Sequence, residues 1–96
     1  MKVTERLMSD LEEEILFLLS IKQNDLSTLA VAEHVCEKFN TFISQARIHE
    51  TLMRLSSDGL IYITIVQEKR HYKITASGLA ALQTDWDYYR RNLSAS

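Results

Sequence analysis

The side chains best suited to contact nucleic acid occur together, between residues 44 and 75 of the 96-residue chain. That segment holds five basic and three acidic residues, a net charge of +2, whereas residues 1–43 hold four basic and eight acidic residues, a net charge of −4. In the DNA major groove arginine reads guanine and glutamine reads adenine. Gln45 and Arg47 are therefore the best candidates for contacting base edges.

Other polar residues of the same segment suit contacts with the phosphate backbone. Lys69, Arg70 and His71 form a basic cluster, where we expect phosphate contacts. His49 can donate to a phosphate or a base, and an exposed surface histidine is an equal alternative. Arg54 suits a phosphate contact or an ion pair within the chain better than a base contact. The full set of predicted DNA-contacting residues is Ser44, Gln45, Arg47, His49, Arg54, Lys69, Arg70 and His71.

No group of residues in the sequence predicts catalysis or metal binding. Glu12, Glu13 and Glu14 are consecutive in a helix and fan around its axis, so we interpret them as a solvated first turn favoured by the helix dipole. His34 and Cys36 lie two positions apart and point in different directions, and Cys36 is predicted to be a small core residue. Phosphate-loop, zinc-protease and nucleophile-elbow motifs do not occur. We predict no enzyme, no metal and no cofactor.

Length and composition are those of one soluble domain. The chain is 46% hydrophobic and 25% charged, and its length is near the lower end of what buries a self-sufficient core. A lone cysteine excludes an internal disulfide and fits a reducing cytoplasm. The first residues are too acidic for a secretory signal, and no apolar run reaches the roughly 20 residues of a membrane helix. We predict a cytoplasmic protein without a membrane partner.

Helix caps and apolar spacing divide the chain into four helices and a hairpin. Ser9 and Glu12 have the spacing of a capping box, Asp25 or Ser27 can cap the second helix, and Ser44 can cap the third. The order helix, helix, helix, hairpin, helix is that of a winged helix-turn-helix. In that fold the third helix enters the major groove and the hairpin, called the wing, lies beside the phosphates.

The predicted third helix, over residues 44–58, leads directly into the predicted wing. Its narrow buried stripe consists of Ile48, Leu52 and Leu55. Gly59 stands where the end of a helix needs a positive φ, which glycine adopts at no steric cost. Strands over 60–66 and 69–75 are joined by a tight turn that lacks the usual glycine, and Tyr72 is predicted to pack in the core. The wing is thus placed at residues 62–75.

The last helix, capped by Thr75 and ending near Asn92, carries an apolar seam at intervals of three and four residues. We expect nothing else in so short a chain to cover Trp86 and Leu93. A homodimer is therefore predicted, with the apolar first helix as a second surface. The predicted interface residues are Leu11, Ile15, Leu79, Leu82, Trp86, Tyr89 and Leu93.

Two segments resemble the PadR family of regulators. "ISQARIHETLMRLSSDGLI" resembles its Ser-led recognition helix, and "RHYKITASGLAAL" resembles its wing strand and the start of its last helix; Trp86 stands where many members carry tryptophan. The match covers roughly residues 10–90, and MarR-type winged helices share much of it. The resemblance implies a homodimeric transcriptional regulator, usually a repressor, that binds double-stranded DNA. The family's Pro-Gly-Thr after the capping serine is Gln45-Ala46-Arg47 here, and its tyrosine is His49.

The predicted fold class is mostly α with a small β-hairpin: one winged-helix domain over residues 1–96, with a core of about 9–75 and a dimerisation helix over 76–93.

Two other functions are compatible with the sequence. The negative net charge permits a protein-interaction module, although the +2 segment coincides with the third helix and the wing. The resemblance also permits regulation by a small aromatic effector, for which Trp86, Tyr88 and Tyr89 are candidates, but a hydrophobic seam explains these rings better.

Overall fold

The computed structural model describes residues 9–22 and 25–95, and of residues 88–95 the backbone alone. These residues form four helices and a three-stranded antiparallel sheet, which confirms the predicted class of a mostly α chain with a small β-sheet. The elements are α1 (Asp10–Ile21), β1 (Leu26–Ser27), α2 (Thr28–Phe39), α3 (Gln45–Ser57), β2 (Ile61–Val66), β3 (Lys69–Ile74) and α4 (Ala76–Ala95). None of the described helices is both long enough and apolar enough to cross a membrane.

The helix caps formed by side chains are those that the sequence predicts. Ser9, Ser27 and Ser44 each accept a hydrogen bond from a backbone N–H in the first turn of the helix that follows. Thr75 does the same for α4. At α2 the cap is Ser27 rather than Asp25, which instead accepts a hydrogen bond from a threonine of β2. Each such cap stabilises a helix by about 1 kcal/mol.

The sequence predicts two strands, and the structure adds a third. β1 pairs with β3, Leu26 opposite Tyr72 and Ser27 opposite His71, so that the sheet has the order β1-β3-β2. Ser27 is both the end of β1 and the cap of α2. The sheet therefore leads straight into the second helix, and its three strands position the wing against the helices.

The core lies around α1, which contacts α2, α3, α4 and β3. Tyr72 is fully buried, as predicted, and its hydroxyl is 2.9 Å from that of Thr28. Burial of this ring fixes β3 against the start of α2. The buried apolar residues are Leu11, Ile15, Leu16, Leu18, Leu19, Val31, Ala32, Val35, Ile48, Leu52, Leu55, Ile61, Tyr72 and Leu82.

The end of α3 is fixed by two backbone hydrogen bonds around Gly59. The N–H of Gly59 donates to Ser56 at 3.0 Å, and the N–H of Leu60 donates to Leu55 at 2.9 Å. This is the Schellman arrangement, which needs a left-handed residue, and Gly59 has a φ of 78°. The carbonyl of Leu60 then accepts a hydrogen bond from the N–H of Thr75, so the two ends of the wing lie side by side.

The interpretation of the glutamate run as a solvated first turn is wrong. Glu12 is buried and forms an ion pair with Arg54 of α3, with 3.4 Å between Nη1 and Oε2. Glu13 accepts a hydrogen bond of 2.8 Å from the indole of Trp86 in α4. Glu14 pairs with a histidine and a lysine of α2. Consecutive helix positions point about 100° apart, so each carboxylate reaches a different helix.

The predicted dimer interface needs correction at two positions of α1 and one position of α4. Leu11 and Ile15 are 6% and 0% exposed, and Leu82 of α4 is 1% exposed. They are buried because α1 is central: α2, α3, α4 and β3 cover the faces of α1 that were predicted to contact a second copy. These three side chains fill the core of their own chain and offer no surface for association.

The expectation that nothing in the chain covers Trp86 is also wrong. Its ring packs edge-on against Phe17 of α1, with 5.7 Å between the ring centroids, in addition to its hydrogen bond with Glu13. Leu79, by contrast, is 49% exposed on α4. The side chains of Tyr89 and Leu93, like that of Tyr88, lie outside the described residues. Among the seam residues whose side chains the structure describes, Leu79 is therefore the exposed one.

Candidate nucleic-acid interface

The outer surface of α3 carries the polar residues that the sequence assigns to base contacts. Gln45, Arg47 and His49 are all exposed in its first turns. The predicted stripe of Ile48, Leu52 and Leu55 is buried. Thr51 is buried as well, and its hydroxyl donates to the carbonyl of Arg47 at 2.8 Å, within the helix. The helix thus presents a polar face while the opposite face is anchored in the core.

The first turn of α3 and the tip of the wing border one groove of about 690 Å³. Gln45 lies on the helix side of this groove, and Lys69 and Arg70 lie on the wing side. The start of α2 forms the remaining wall. Backbone N–H groups at a helix start and cationic side chains both favour phosphate oxygens. The lining residues are Ser27, Thr28, Leu29, Gln45, Ile65, Glu68, Lys69 and Arg70.

The basic cluster of the wing is divided between the two faces of the sheet. Successive side chains of a strand point to opposite faces, so Arg70 shares a face with its partner Ile65, and His71 shares the other with Thr64. Lys69 and Arg70 are exposed, whereas His71 is half-buried. The Nδ1 atom of His71 is enclosed and has no hydrogen-bond partner among the described residues. Lys69 and Arg70 are thus better placed than His71 to meet a phosphate.

Arg54 contacts α1 from an exposed position on α3. Its ion pair with Glu12 joins α3 to α1, and its side chain remains 57% exposed. An ion pair with such access to water contributes at most about 1 kcal/mol to stability. Of the two roles that the sequence left for Arg54, the described structure contains the ion pair within the chain.

A second depression, of about 630 Å³, lies at the turn between α2 and α3. Phe42 stands at its edge with 84% of its surface exposed, and Arg47 borders it from the start of α3. Apolar walls with a few polar groups are typical of small-molecule sites. No sequence pattern indicates this depression, because Phe42 belongs to a three-residue turn without periodicity. The depression is lined by Asp10, Leu11, Phe39, Thr41, Phe42, Ile43, Ser44 and Arg47.

The turn at the wing tip has an unusual composition for its backbone conformation. Gln67 and Glu68 both have positive φ values, 54° and 66°, as the central residues of a type I′ turn require. Asn-Gly is the usual choice there, because other side chains strain the left-handed backbone. Glu68 also places a carboxylate beside Lys69 and Arg70, which reduces the positive potential at the tip.

No protein-family model matches this sequence, and no curated protein matches it. Solved structures are similar to it in fold. A complex of RosR from H. salinarum superposes with a TM-score of 0.79 at 19% identity, covering 93% of this chain and 76% of that one. BpsR of Bordetella bronchiseptica, whose DNA binding is regulated by 6-hydroxynicotinic acid, superposes with a TM-score of 0.72 at 17% identity. That match covers 92% of this chain and 60% of the BpsR chain. A PadR-like transcriptional regulator from Bacillus cereus superposes with a TM-score of 0.74 at 23% identity, covering 88% of this chain and 85% of that one.

These similarities extend along nearly the whole chain, so they include the wing and α4 as well as the three helices before them. The similarity to PadR-like regulators inferred from the residues around Gly59 and Gly78 is thereby confirmed at the level of the fold. The chain has the winged helix-turn-helix fold of the transcriptional regulators to which it is similar, a PadR-like regulator among them.

Proposed function

We propose that the protein is a transcriptional regulator that binds specific duplex DNA as a homodimer and represses the genes it occupies. The observation that carries this proposal is the groove in which Gln45 of α3 faces Lys69 and Arg70 of the wing. A base-reading helix and a phosphate-binding strand must engage the same stretch of duplex, and this groove joins the two.

In this proposal α3 lies in the major groove and contacts base edges with residues of its first turns. The major groove is about 12 Å wide and admits one α-helix. Arg47 donates to guanine, Gln45 pairs with adenine, and His49 donates to a base or phosphate. Lys69 and Arg70 bind the phosphates that flank the groove, where they add affinity and fix the register without reading sequence.

The homodimer is proposed because one α3 covers only a few base pairs. Two-fold pairing presents two such helices to half-sites about one turn apart, roughly 34–36 Å. We place the interface on the face of α4 that includes the exposed Leu79, next to Trp86 and towards Tyr89 and Leu93. Leu11, Ile15 and Leu82 take no part in it, since they fill the core. A dimer seated on a promoter blocks access to it, which is the proposed basis of repression.

Replacing Arg47 by alanine tests the assignment of α3. We expect Arg47→Ala to lose about 1–3 kcal/mol at a selected operator and to bind random duplex nearly as well as the wild type does. Fluorescence anisotropy with both duplexes measures this. Lys38→Ala is the matched control, because it removes one positive charge from the side of α2 that faces Glu14. If Arg47→Ala keeps full operator affinity, α3 is not the reading element.

Replacing Lys69 and Arg70 together tests the assignment of the wing. The double alanine variant should bind all duplexes more weakly. The slope of log affinity against log salt should fall by about one phosphate contact for each residue. His71→Ala should leave the slope nearly unchanged, because His71 is half-buried whereas Lys69 and Arg70 are exposed. If the slope of log affinity against log salt is unchanged after loss of both cations, the alternative of a protein-interaction module is favoured.

A regulator controlled by a small aromatic effector is a second candidate, favoured by the depression beside Arg47. An occupant there would contact the rings of Phe39 and Phe42 and compete with DNA for Arg47. BpsR, a structural neighbour, is regulated by 6-hydroxynicotinic acid. The test is to add 6-hydroxynicotinate to the protein–DNA complex. We expect release from the wild type and a weaker effect on Phe42→Ala; equal binding with and without the acid argues against this candidate.

A further inference from the structure

The position of α3 that points most directly away from the core is occupied by a carboxylate. Glu50 lies two residues after Ile48 and two before Leu52, and both of these are fully buried. At about 100° per residue, the direction of Glu50 lies roughly 180° from the mean direction of those two side chains. Leu55, also buried, lies on their side of the helix. Glu50 is exposed, and it is therefore the residue that meets the floor of a groove into which α3 is inserted.

The neighbours of Glu50 on the helix surface are two arginines, and the structure leaves the carboxylate available. Arg47 and Arg54 are three and four positions away, within reach on the same face. Arg54 is instead drawn to the buried Glu12 of α1. Glu50 takes part in none of the ion pairs formed between described residues. Its oxygens thus retain their capacity to accept hydrogen bonds from a ligand.

A carboxylate at this place discriminates among the four bases by hydrogen bonding. An ionised carboxylate only accepts hydrogen bonds. In the major groove cytosine offers the N4 amino donor, whereas guanine offers only acceptors and thymine offers an acceptor and a methyl group. Adenine carries a donor beside an acceptor, which suits an amide better than a carboxylate. Cytosine is therefore the base that Glu50 best accommodates.

The same negative charge opposes binding to DNA in general. It would repel the phosphates that Lys69 and Arg70 attract, so it weakens contacts that carry no sequence information. At a matched site the hydrogen bond from cytosine offsets that repulsion. A central glutamate accordingly lowers affinity for random duplex and raises the ratio of specific to random binding.

We propose that Glu50 is a specificity-determining residue that accepts a hydrogen bond from the N4 amino group of a cytosine in each half-site. This inference rests on the proposed function, since it requires α3 to lie in the major groove. In this proposal the carboxylate of Glu50 has two effects: it sets the preference for cytosine at one position, and it lowers the affinity for other sequences.

The experiment compares Glu50→Gln and Glu50→Ala with the wild type in selection from a random duplex library. The wild type should enrich cytosine at one fixed position of each half-site. Glu50→Gln should enrich adenine at that position, because glutamine both donates to and accepts from adenine. Glu50→Ala should show no preference there and should bind random duplex more tightly. The change of base should alter the affinity of the wild type by roughly 5- to 150-fold.

Glu37→Gln is the control, because it makes the same change of charge at an exposed position of α2; it should enrich the wild-type sequence. If both Glu50 variants enrich the same base as the wild type, the assignment of Glu50 is wrong even though the regulator proposal stands. If the two variants only bind all duplexes more tightly, Glu50 merely screens the arginines and the assignment is again wrong. A wild type that binds no duplex overturns both proposals.

Discussion

At the scale of single residues, three neighbouring glutamates of α1 illustrate how direction decides role. Glu12, Glu13 and Glu14 contact α3, α4 and α2 respectively. Their partners lie 42, 73 and 20 positions away in the chain. A local pattern carries no information on contacts at such separations, so the sequence indicated only that the three side chains diverge. Their use as links between helices follows from the tertiary position of α1 at the centre of the fold.

Glu13 gives the stability of the fold a dependence on pH. Burial raises the pKa of Glu13, the hydrogen bond from Trp86 opposes this, and the nearby charge of Asp85 raises it again. The folded chain therefore holds this proton more tightly than the unfolded chain does. By linkage, the contribution of Glu13 to stability is greatest below the ordinary carboxyl value of 4.5 and declines as pH rises through the raised pKa.

We expect Glu13→Gln to be more stable than the wild type at pH 7, since a neutral amide oxygen still accepts the hydrogen bond from Trp86. The advantage should vanish below pH 4.5, where the wild-type carboxyl is protonated in both states. Urea denaturation followed by circular dichroism at a series of pH values measures both quantities. Glu37→Gln, exposed on α2, serves as control. A Glu13→Gln variant less stable than wild type at pH 7 would mean that the ionised form is the favoured one.

At the scale of elements, the two glycines of the chain meet at the junction of α3, the wing and α4. Gly59 adopts a left-handed φ in open space, whereas a Cβ on Gly78 would lie 2.1 Å from the carbonyl oxygen of Leu60 and 2.7 Å from Ile74. The hydroxyl of Thr75 closes the junction by donating to the carbonyl of Gly59 at 2.7 Å. This contact fixes the position of the wing relative to α3.

The two glycines should respond differently to substitution. Gly59→Ala is expected to cost about 1–2 kcal/mol from backbone strain, and Gly59→Asn less, because asparagine tolerates the left-handed region. Gly78→Ala is expected to cost about 1–3 kcal/mol or more from overlap with the Leu60 backbone, and Gly78→Asn should be no better. Chemical denaturation of the four variants provides the comparison. Equal rescue by asparagine at both positions would contradict the distinction.

The elements themselves were predictable to the extent that they are encoded locally. Ser9, Ser44 and Thr75 cap helices because a short polar side chain precedes an apolar periodicity. β1 has two residues and no period, and it becomes a strand only by pairing with β3. The close approach at Gly78 is likewise tertiary. Gly59 could be identified from its place at the helix end, while the requirement for Gly78 depends on a backbone 18 positions earlier.

At the scale of the whole molecule, the proposed function requires a chain with a net charge of −2 to bind a polyanion. Segregation of charge makes this possible: the acidic residues of α1 contact other helices, while the exposed cations Lys69 and Arg70 of β3 border the groove. Field near the groove, rather than net charge, governs the approach of DNA. In the proposed dimer, two copies would double the number of phosphate contacts and make the salt dependence steeper.

The predicted interface of that dimer illustrates what periodicity alone leaves open. Leu79 and Trp86 are seven positions apart, so they point in nearly the same direction from the last helix. The structure buries Leu82 and packs Trp86 against α1, but it leaves Leu79, near the start of the helix, exposed. A sequence pattern reports that the stripe is apolar and does not distinguish the surface that covers it. The proposed interface through α4 therefore uses Leu79 and the end of the helix.

Leu79→Asp is expected to convert the proposed dimer to a monomer, because it places a charge at the exposed position of the seam without entering the core. Thr84→Asp is the matched control: it is exposed on the same helix, about 140° around the axis from Leu79. Light scattering at micromolar concentrations should give a mass near twice 11.1 kDa for the wild type and Thr84→Asp. Leu79→Asp should be near 11.1 kDa, with unchanged far-UV circular dichroism and weaker operator binding. A wild type of monomer mass at every concentration rules out the dimer, and a dimeric Leu79→Asp places the interface elsewhere on the chain.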